Sequence, residues 1–196
     1  MLDFIFITGQ SGVGKTTLAK GLYRCYEGVY FEQNMVPEFV VPYDVDDVGI
    51  YEEQLCWDNM LLQAEFFHAK GLKNIVMLDF DDYRTRELPQ LFKGYRFIIL
   101  RLVSSDLEQI KSQIIHRHEN EGGLFDLNAV ERHSKRFLNR PLLPNEVKLD
   151  VAGTSKVDVL EAVEMIIDNH KPLLEYDYQL ADEQNYVSWV QSRNLY

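Results

Sequence analysis

The stretch FIFITGQSGVGKTTLAKGL, Phe4 to Leu22, joins an apolar run to a glycine-rich turn and then to a helical pattern. The run Phe4–Ile7 has no polar interruption, which is typical of a buried parallel strand. After Thr17, apolar residues recur at helical spacing. The turn between them, Gly9–Thr16, matches the phosphate-binding-loop pattern G-x-x-x-x-G-K-[ST]. Because strand, loop and helix follow in the required order, a chance match in a glycine-rich turn is the weaker interpretation.

The glycines and the helix start explain how this loop holds phosphate. Glycine adopts backbone angles closed to other residues, so successive N–H groups can curl around an anion, and the helix adds its positive end. The Lys15 ammonium can reach the outer phosphates, and the Thr16 hydroxyl can ligate the Mg²⁺ that accompanies them. The predicted nucleotide-binding residues are Gly9, Gln10, Ser11, Gly12, Val13, Gly14, Lys15, Thr16 and Thr17.

Length and composition narrow the class of protein. A chain of 196 residues favours one domain over two, and a hydrophobic content of 46% is ample for a core. No apolar run reaches the roughly 18 residues of a membrane span, and the amino terminus has no export signal. We therefore expect a cytoplasmic protein without a membrane partner and with Cys25 and Cys56 as free thiols. The net charge of −11 argues against nucleic acid as a partner.

Five strand candidates alternate with helices, which predicts parallel strands joined by right-handed crossovers. The strands are predicted at Asp3–Thr8, Val29–Glu32, Asn74–Asp79, Tyr95–Leu102 and Val147–Val151. The helices are predicted at Lys15–Tyr26, Tyr51–Lys70, Glu87–Phe92, Leu107–His118, Asn128–Leu138 and Val157–Asn169.

With its motifs in this order, the chain resembles the nucleoside monophosphate kinase-like group of small P-loop kinases, which includes adenylate, shikimate and nucleoside kinases. The resemblance covers about residues 3–170 and is most specific at Gly9–Thr16. It implies an α/β P-loop NTPase fold, with a five-stranded parallel sheet of order 2-3-1-4-5, flanking helices and a mobile lid. It also implies ATP and Mg²⁺ as cofactors and a small-molecule acceptor.

The domain organisation follows from the same resemblance. Residues 1–172 are expected to form the kinase-like domain, with the lid at about 117–127. Residues 173–196 form a C-terminal extension rich in tyrosine. We expect this extension to pack on its own domain; the alternative, an arm across a subunit partner, leaves a homodimer open.

The resemblance assigns roles to one acidic residue and to arginines near the lid. Asp79, at the end of the third predicted strand, would hold the Mg²⁺ water shell or orient an acceptor hydroxyl; the alternative is a loop carboxylate that caps a helix. Arg117 is expected near the adenine or phosphates. Arg132 and Arg136 share a helix face, with Arg140 at the same spacing, and are expected to clamp the transferred phosphoryl group. The alternative for these arginines is a solvated charged surface.

The segment that should contact the acceptor is acidic. Residues 25–83 contain no arginine, and 13 acids lie between Glu27 and Asp82. A phosphate on the acceptor would meet like charge there, so an uncharged or cationic acceptor is favoured, with a nucleoside first and an aminated sugar second. Glu32 resembles the carboxylate that acts as the base in deoxynucleoside kinases.

Two alternatives remain open at this stage. Arg84 and Arg86, just past the acidic segment, could instead serve a nucleoside monophosphate. A nucleotide-dependent switch without an acceptor is the other alternative, but the Asn/Thr-Lys-x-Asp motif of guanine-reading GTPases is missing from the sequence. The sequence therefore favours a kinase.

Overall fold

The apolar run before the glycine-rich loop forms the central strand of a five-stranded parallel sheet in a computed structural model, which describes residues 1–40, 48–121 and 127–180. The strands are β1 Phe4–Gly9, β2 Tyr30–Glu32, β3 Ile75–Leu78, β4 Phe97–Val103 and β5 Glu146–Asp150. The helices are α1 Lys15–Cys25, α2 Val48–Ala69, α3 Asp82–Leu91, α4 Leu107–Glu121, α5 Leu127–Asn139 and α6 Lys156–Asn169. A short 3-10 helix, Gln33–Met35, follows β2.

The sheet order is β2-β3-β1-β4-β5 and all four pairings are parallel, so the predicted topology is confirmed. Apart from α3, the predicted helix and strand boundaries lie within three residues of those observed.

Two apolar layers hold the sheet between the helices. The β1 residues Ile5 and Ile7 belong to a cluster with α1 and α6. Phe4 and Phe6 point to the other face and pack with residues of α2 and α3. Because successive side chains of a strand alternate between faces, one apolar run supplies both layers. This burial fixes the carboxyl end of β1, where the loop begins, at the carboxyl-terminal end of the parallel strands.

The prediction of a short helix at Glu87–Phe92 is wrong at its start, because α3 begins at Asp82, five residues earlier. The carboxylate of Asp81 accepts a hydrogen bond from the Tyr83 N–H and so caps the helix. The earlier start places the two arginines of this segment on a helix.

The structure adds detail at the end of β3 and in the segment predicted to form the lid. Strand β3 ends at Leu78, and Asp79 follows it with a φ of 66° rather than extending the strand. Residues 117–121, assigned to the lid, form the last part of α4. The rest of that segment up to residue 126 lies outside the described residues, so a lid stays a prediction.

The described part of the C-terminal extension contacts α3. The Tyr176 hydroxyl donates to the Pro89 carbonyl at 2.6 Å, and the Tyr178 hydroxyl donates to the Arg86 carbonyl at 2.9 Å. Residues 181–196 lie outside the described residues. Among the helices that the structure describes, none has the length and apolar character needed to cross a bilayer.

Replacing Gly9 by alanine tests the contact between the central strands. A Cβ atom at Gly9 would lie 1.9 Å from the carbonyl oxygen of Leu102 in β4, and the φ of Gly9 is 136°. We expect Gly9→Ala to lower the free energy of unfolding by about 3 kcal/mol, measured by urea denaturation. The control is Gly49→Ala in α2, where a Cβ meets open space and stability should change by no more than about 1 kcal/mol. Equal stability of the two variants would contradict the prediction.

Candidate functional site

The glycine-rich loop has the backbone conformation that its sequence requires. Gly12 and Gly14 have φ values of 77° and 99°, and α1 begins immediately after Gly14. The Lys15 ammonium donates to the carbonyls of Gly9 at 3.3 Å and Gln10 at 3.1 Å. The positive side chain and the amino end of α1 therefore meet at the same loop, which is the arrangement that binds phosphate.

The Gln10 side chain anchors the loop to the rest of the sheet edge. It is 1% exposed, and its amide nitrogen donates to the Ser104 carbonyl at 3.2 Å while its oxygen accepts from the Ser104 N–H. Ser104 follows β4, so these two bonds tie the end of β1 to the end of β4. Because the Gln10 side chain is used in this way, we assign any contact of Gln10 with a nucleotide to its backbone.

Thr16 and Glu32 are in direct contact. Glu32 ends β2, is 6% exposed, and accepts a hydrogen bond from the Thr16 hydroxyl at 3.0 Å. A hydroxyl that donates its proton keeps lone pairs on its oxygen. The pair therefore offers the hard oxygen donors that Mg²⁺ prefers, and the residues present fit that ion. The sequence assigned these residues separately, one to the metal and one to the base.

A cavity of about 470 Å³ opens at Gln33, the residue that follows Glu32, and is within the size range of small-molecule sites. Three carboxylates line it, and its lining residues in the described structure include no lysine or arginine. The lining residues are Gln33, Asn34, Val36, Pro37, Glu38, Phe39, Glu52, Cys56 and Asp79. The predicted metal residue Asp79 is thus on the cavity wall, whereas Glu32 is the carboxylate in contact with Thr16.

Glu53 holds the side chain of Gln33, one of the residues that line the cavity. The Gln33 amide donates to both carboxylate oxygens of Glu53 at 2.9 Å. Burial raises the pKa of the Glu53 carboxyl, and the Gln33 hydrogen bonds offset part of that rise. The Gln33 side chain is therefore held in place at the edge of the cavity.

Arg84 is engaged in contacts inside the protein. Its guanidinium donates to Gln54 at 2.7 Å and to Glu87 at 3.2 Å, and it lies 5.5 Å from the centre of the Trp57 ring. The side chain is 6% exposed. These contacts weaken the alternative in which Arg84 holds an acceptor phosphate.

The other arginines divide into surface and buried groups. Arg132 is exposed, and the side chain of Arg117 lies outside the described residues. Arg136 is largely buried, and its Nε lies 3.6 Å from a carboxylate oxygen of Asp82. Arg140 is buried and donates to the same Asp82 at 3.0 Å, so it is part of an internal network rather than a charged surface.

Sequence reasoning missed three members of that network. Arg101 in β4 is fully buried and donates a hydrogen bond to the Arg140 carbonyl at 2.8 Å. Glu146 in β5 is also buried and forms ion pairs with both arginines. Asp82 was counted only among the acids of the segment. The available signal was Arg101, a charged residue inside the apolar run FIILRLV, where a buried strand normally has none.

Comparison with known proteins identifies the fold. No family model matches the chain, and no curated protein matches its sequence. Among solved structures, a sugar kinase from Janibacter aligns with a TM-score of 0.57 at 16% identity, covering 84% of this chain and 94% of that chain.

Two further structures cover the chain to a similar extent. Thymidylate kinase from Candida albicans aligns with a TM-score of 0.51 at 18% identity, covering 84% of this chain and 90% of that chain. Shikimate kinase from Acinetobacter baumannii aligns with a TM-score of 0.54 at 15% identity, covering 86% of this chain and 95% of that chain. The chain therefore has the fold of P-loop small-molecule kinases of the nucleoside monophosphate and shikimate kinase type.

Replacement of Lys15 by alanine tests whether the loop binds phosphate. Lys15→Ala removes the ammonium at the loop, so we expect ATP affinity to fall by roughly tenfold or more, measured by calorimetric titration. Lys20→Ala is the matched control, since Lys20 lies exposed on the same helix. Equal ATP affinity for the two variants and the wild type would refute the site.

Proposed function

We propose that the protein is a Mg-ATP-dependent kinase that phosphorylates a hydroxyl group of a small molecule carrying no phosphate. One observation carries this proposal: the hydroxyl of the P-loop residue Thr16 donates to the buried carboxylate of Glu32, and the next residue, Gln33, lines a cavity that three carboxylates also line. The fold shared with small-molecule kinases supports the reaction class. The matched structures act on a sugar, thymidylate and shikimate by name, so the fold by itself selects no acceptor.

The chain supplies groups for each requirement of phosphoryl transfer. The loop N–H groups and Lys15 bind the phosphates. Glu32 accepts the proton of the acceptor hydroxyl while the hydroxyl oxygen attacks the γ-phosphorus of ATP, and the bond from that phosphorus to the bridging oxygen breaks to release ADP. Arg136 stabilises the charge of the transferred group, for which a planar guanidinium is suited. Bound Mg²⁺, held by Thr16 with Asp79 as the predicted second site, would neutralise charge on the phosphate oxygens.

The charge of the cavity supports an uncharged or cationic acceptor. Glu38, Glu52 and Asp79 line it, and Glu53 lies behind it. A second phosphate at this wall would be repelled, whereas a nucleoside or an aminated sugar would not. We place a nucleoside first, because Glu32, at the end of the second strand, resembles the base of deoxynucleoside kinases, and the aminated sugar second.

A nucleoside monophosphate kinase is the second candidate, and Arg86 is the observation that favours it. Its guanidinium lies on α3 close to the sheet edge and is about a quarter exposed, with its Nη2 3.6 Å from Asp82. An acceptor phosphate could reach this arginine from the side of α3 rather than through the acidic wall.

A panel of acceptors decides between the two candidates. Nucleosides, aminated sugars and nucleoside monophosphates are incubated at equal concentration with Mg-ATP, and ADP release and the mass of the acceptor are measured. We expect a mass gain of one phosphoryl group for an acceptor without phosphate. Phosphorylation of monophosphates alone would show that Arg86 outweighs the acidic wall.

Exchange of Glu32 tests the proposed base. Glu32→Gln preserves shape but removes the carboxylate, so kcat should fall by roughly a hundredfold with a smaller change in the KM of the acceptor. Glu27→Gln, an exposed residue of the turn that precedes this strand, is the control.

A magnesium titration of this variant separates two roles of Glu32. A carboxylate that only orients Thr16 toward the metal lowers metal affinity, so excess Mg²⁺ would restore kcat. We expect no such recovery, because a missing base is not replaced by metal. Full recovery at high Mg²⁺ would make Glu32 a support of the metal site instead of the base.

A further inference from the structure

We propose that Asp82 is a positioning residue that holds Arg86 and Arg136 together for the transferred phosphoryl group. This inference rests on the proposed function, since it assigns a role in the same reaction. It also adds Arg86 to the arginines that act in the transfer.

The two carboxylate oxygens of Asp82 have different partners. The side chain is fully buried, and Oδ1 accepts a hydrogen bond from Arg140 Nε at 3.0 Å. Oδ2 lies 3.6 Å from Arg86 Nη2 and 3.6 Å from Arg136 Nε. This separation is within ion-pair range but longer than a hydrogen bond. One oxygen thus serves a structural arginine, and the other attracts two arginines that come from different helices.

The net charge of the arginine cluster around Asp82 and Glu146 indicates the kind of ligand that it can bind. Among the described residues, the ion pairs of Asp82 and Glu146 join four guanidinium groups to two carboxylates, so this network carries an excess of positive charge. Arginine does not lose its proton in proteins, so this excess cannot be relieved by titration. A cluster held in this way favours an incoming anion, and the phosphoryl group is the anion that the reaction brings.

α3 is connected to the strand that leads into the phosphate loop. Thr85, one turn after Asp82, forms a hydrogen bond with Thr8 through their hydroxyls at 3.1 Å. Thr8 immediately precedes Gly9, and it pairs in register with Arg101 of β4. The arginines that Asp82 holds are therefore fixed to the strand from which the loop begins.

Glu146 provides a natural comparison within the same network. It pairs with Arg140 at 3.0 Å and with Arg101 at 3.3 Å. In the described structure, neither Arg86 nor Arg136 is among its ion-pair partners. Asp82 and Glu146 thus share Arg140, but only Asp82 faces the two arginines proposed to act in transfer.

The experiment compares Asp82→Asn with Glu146→Gln in the full chain. Both variants remove one buried carboxylate next to Arg140, so both should lower the urea midpoint. We expect only Asp82→Asn to lower kcat by roughly tenfold per folded molecule, with the KM for ATP within about twofold of wild type. Equal kcat in the two variants would overturn the inference, because the role of Asp82 would then be structural.

A double-variant cycle tests whether Asp82 acts through Arg136. If it does, Asp82→Asn combined with Arg136→Lys should lower kcat by less than the product of the two single effects. Effects that multiply in full would contradict action through Arg136.

A second route covers the case in which Asp82→Asn does not fold. Asp82→Asn with Arg140→Met removes the carboxylate together with the guanidinium that is hydrogen-bonded to it, and Glu146 keeps its ion pair with Arg101. The kcat of this double variant should lie roughly tenfold below that of Arg140→Met alone, and equal values would overturn the inference. A wild-type protein that phosphorylates no acceptor would overturn the proposed function and this inference together, whereas active but equal variants overturn only the inference.

Discussion

The close approach of Gly9 to the Leu102 carbonyl is the constraint on which the site depends. It lets β1 and β4 run side by side to their ends, so that the loop starts at the edge of the sheet. The Gln10–Ser104 bonds then hold the loop against the end of β4. With the loop fixed on that side, α1 begins at Lys15 and brings the Thr16 hydroxyl to Glu32 at the end of β2. One backbone contact between two central strands thus helps to set the position of a side-chain pair between α1 and β2.

At the carboxyl-terminal end of the sheet, negative charge and positive charge are concentrated in different places. Carboxylates line the cavity beside β2 and β3, whereas arginines gather between α3 and α5. In water such charges would be screened within about 10 Å, but the arginine cluster is largely buried and its field is preserved. The division suits a reaction in which an acceptor enters from one side and negative charge moves along the other. The same division would let a chain with a net charge of −11 hold the proposed phosphate-binding site.

The sequence predicted the fold well because its signals are local. The continuous apolar strands and the Gly9–Thr16 spacing determine β1, the loop and α1 without reference to the rest of the chain. The start of α3 was missed because the Asp81 cap resembles an ordinary acidic turn until its hydrogen bond is seen. The Asp82 network was missed for a different reason: its members are up to 64 positions apart and meet only after the sheet has formed. Local patterns give residue roles at the loop, but they cannot show which distant charges will be buried together.

The two tyrosine contacts on α3 affect how this chain can be shortened or fused to other proteins. Tyr176 and Tyr178 cap carbonyl groups of the helix that carries Arg84 and Arg86. A boundary drawn at residue 172, where the kinase-like pattern ends, would remove both hydroxyls and uncover that helix. Expression boundaries, purification tags and protease sites are therefore better placed beyond Tyr178, since Tyr176 and Tyr178 both contact α3.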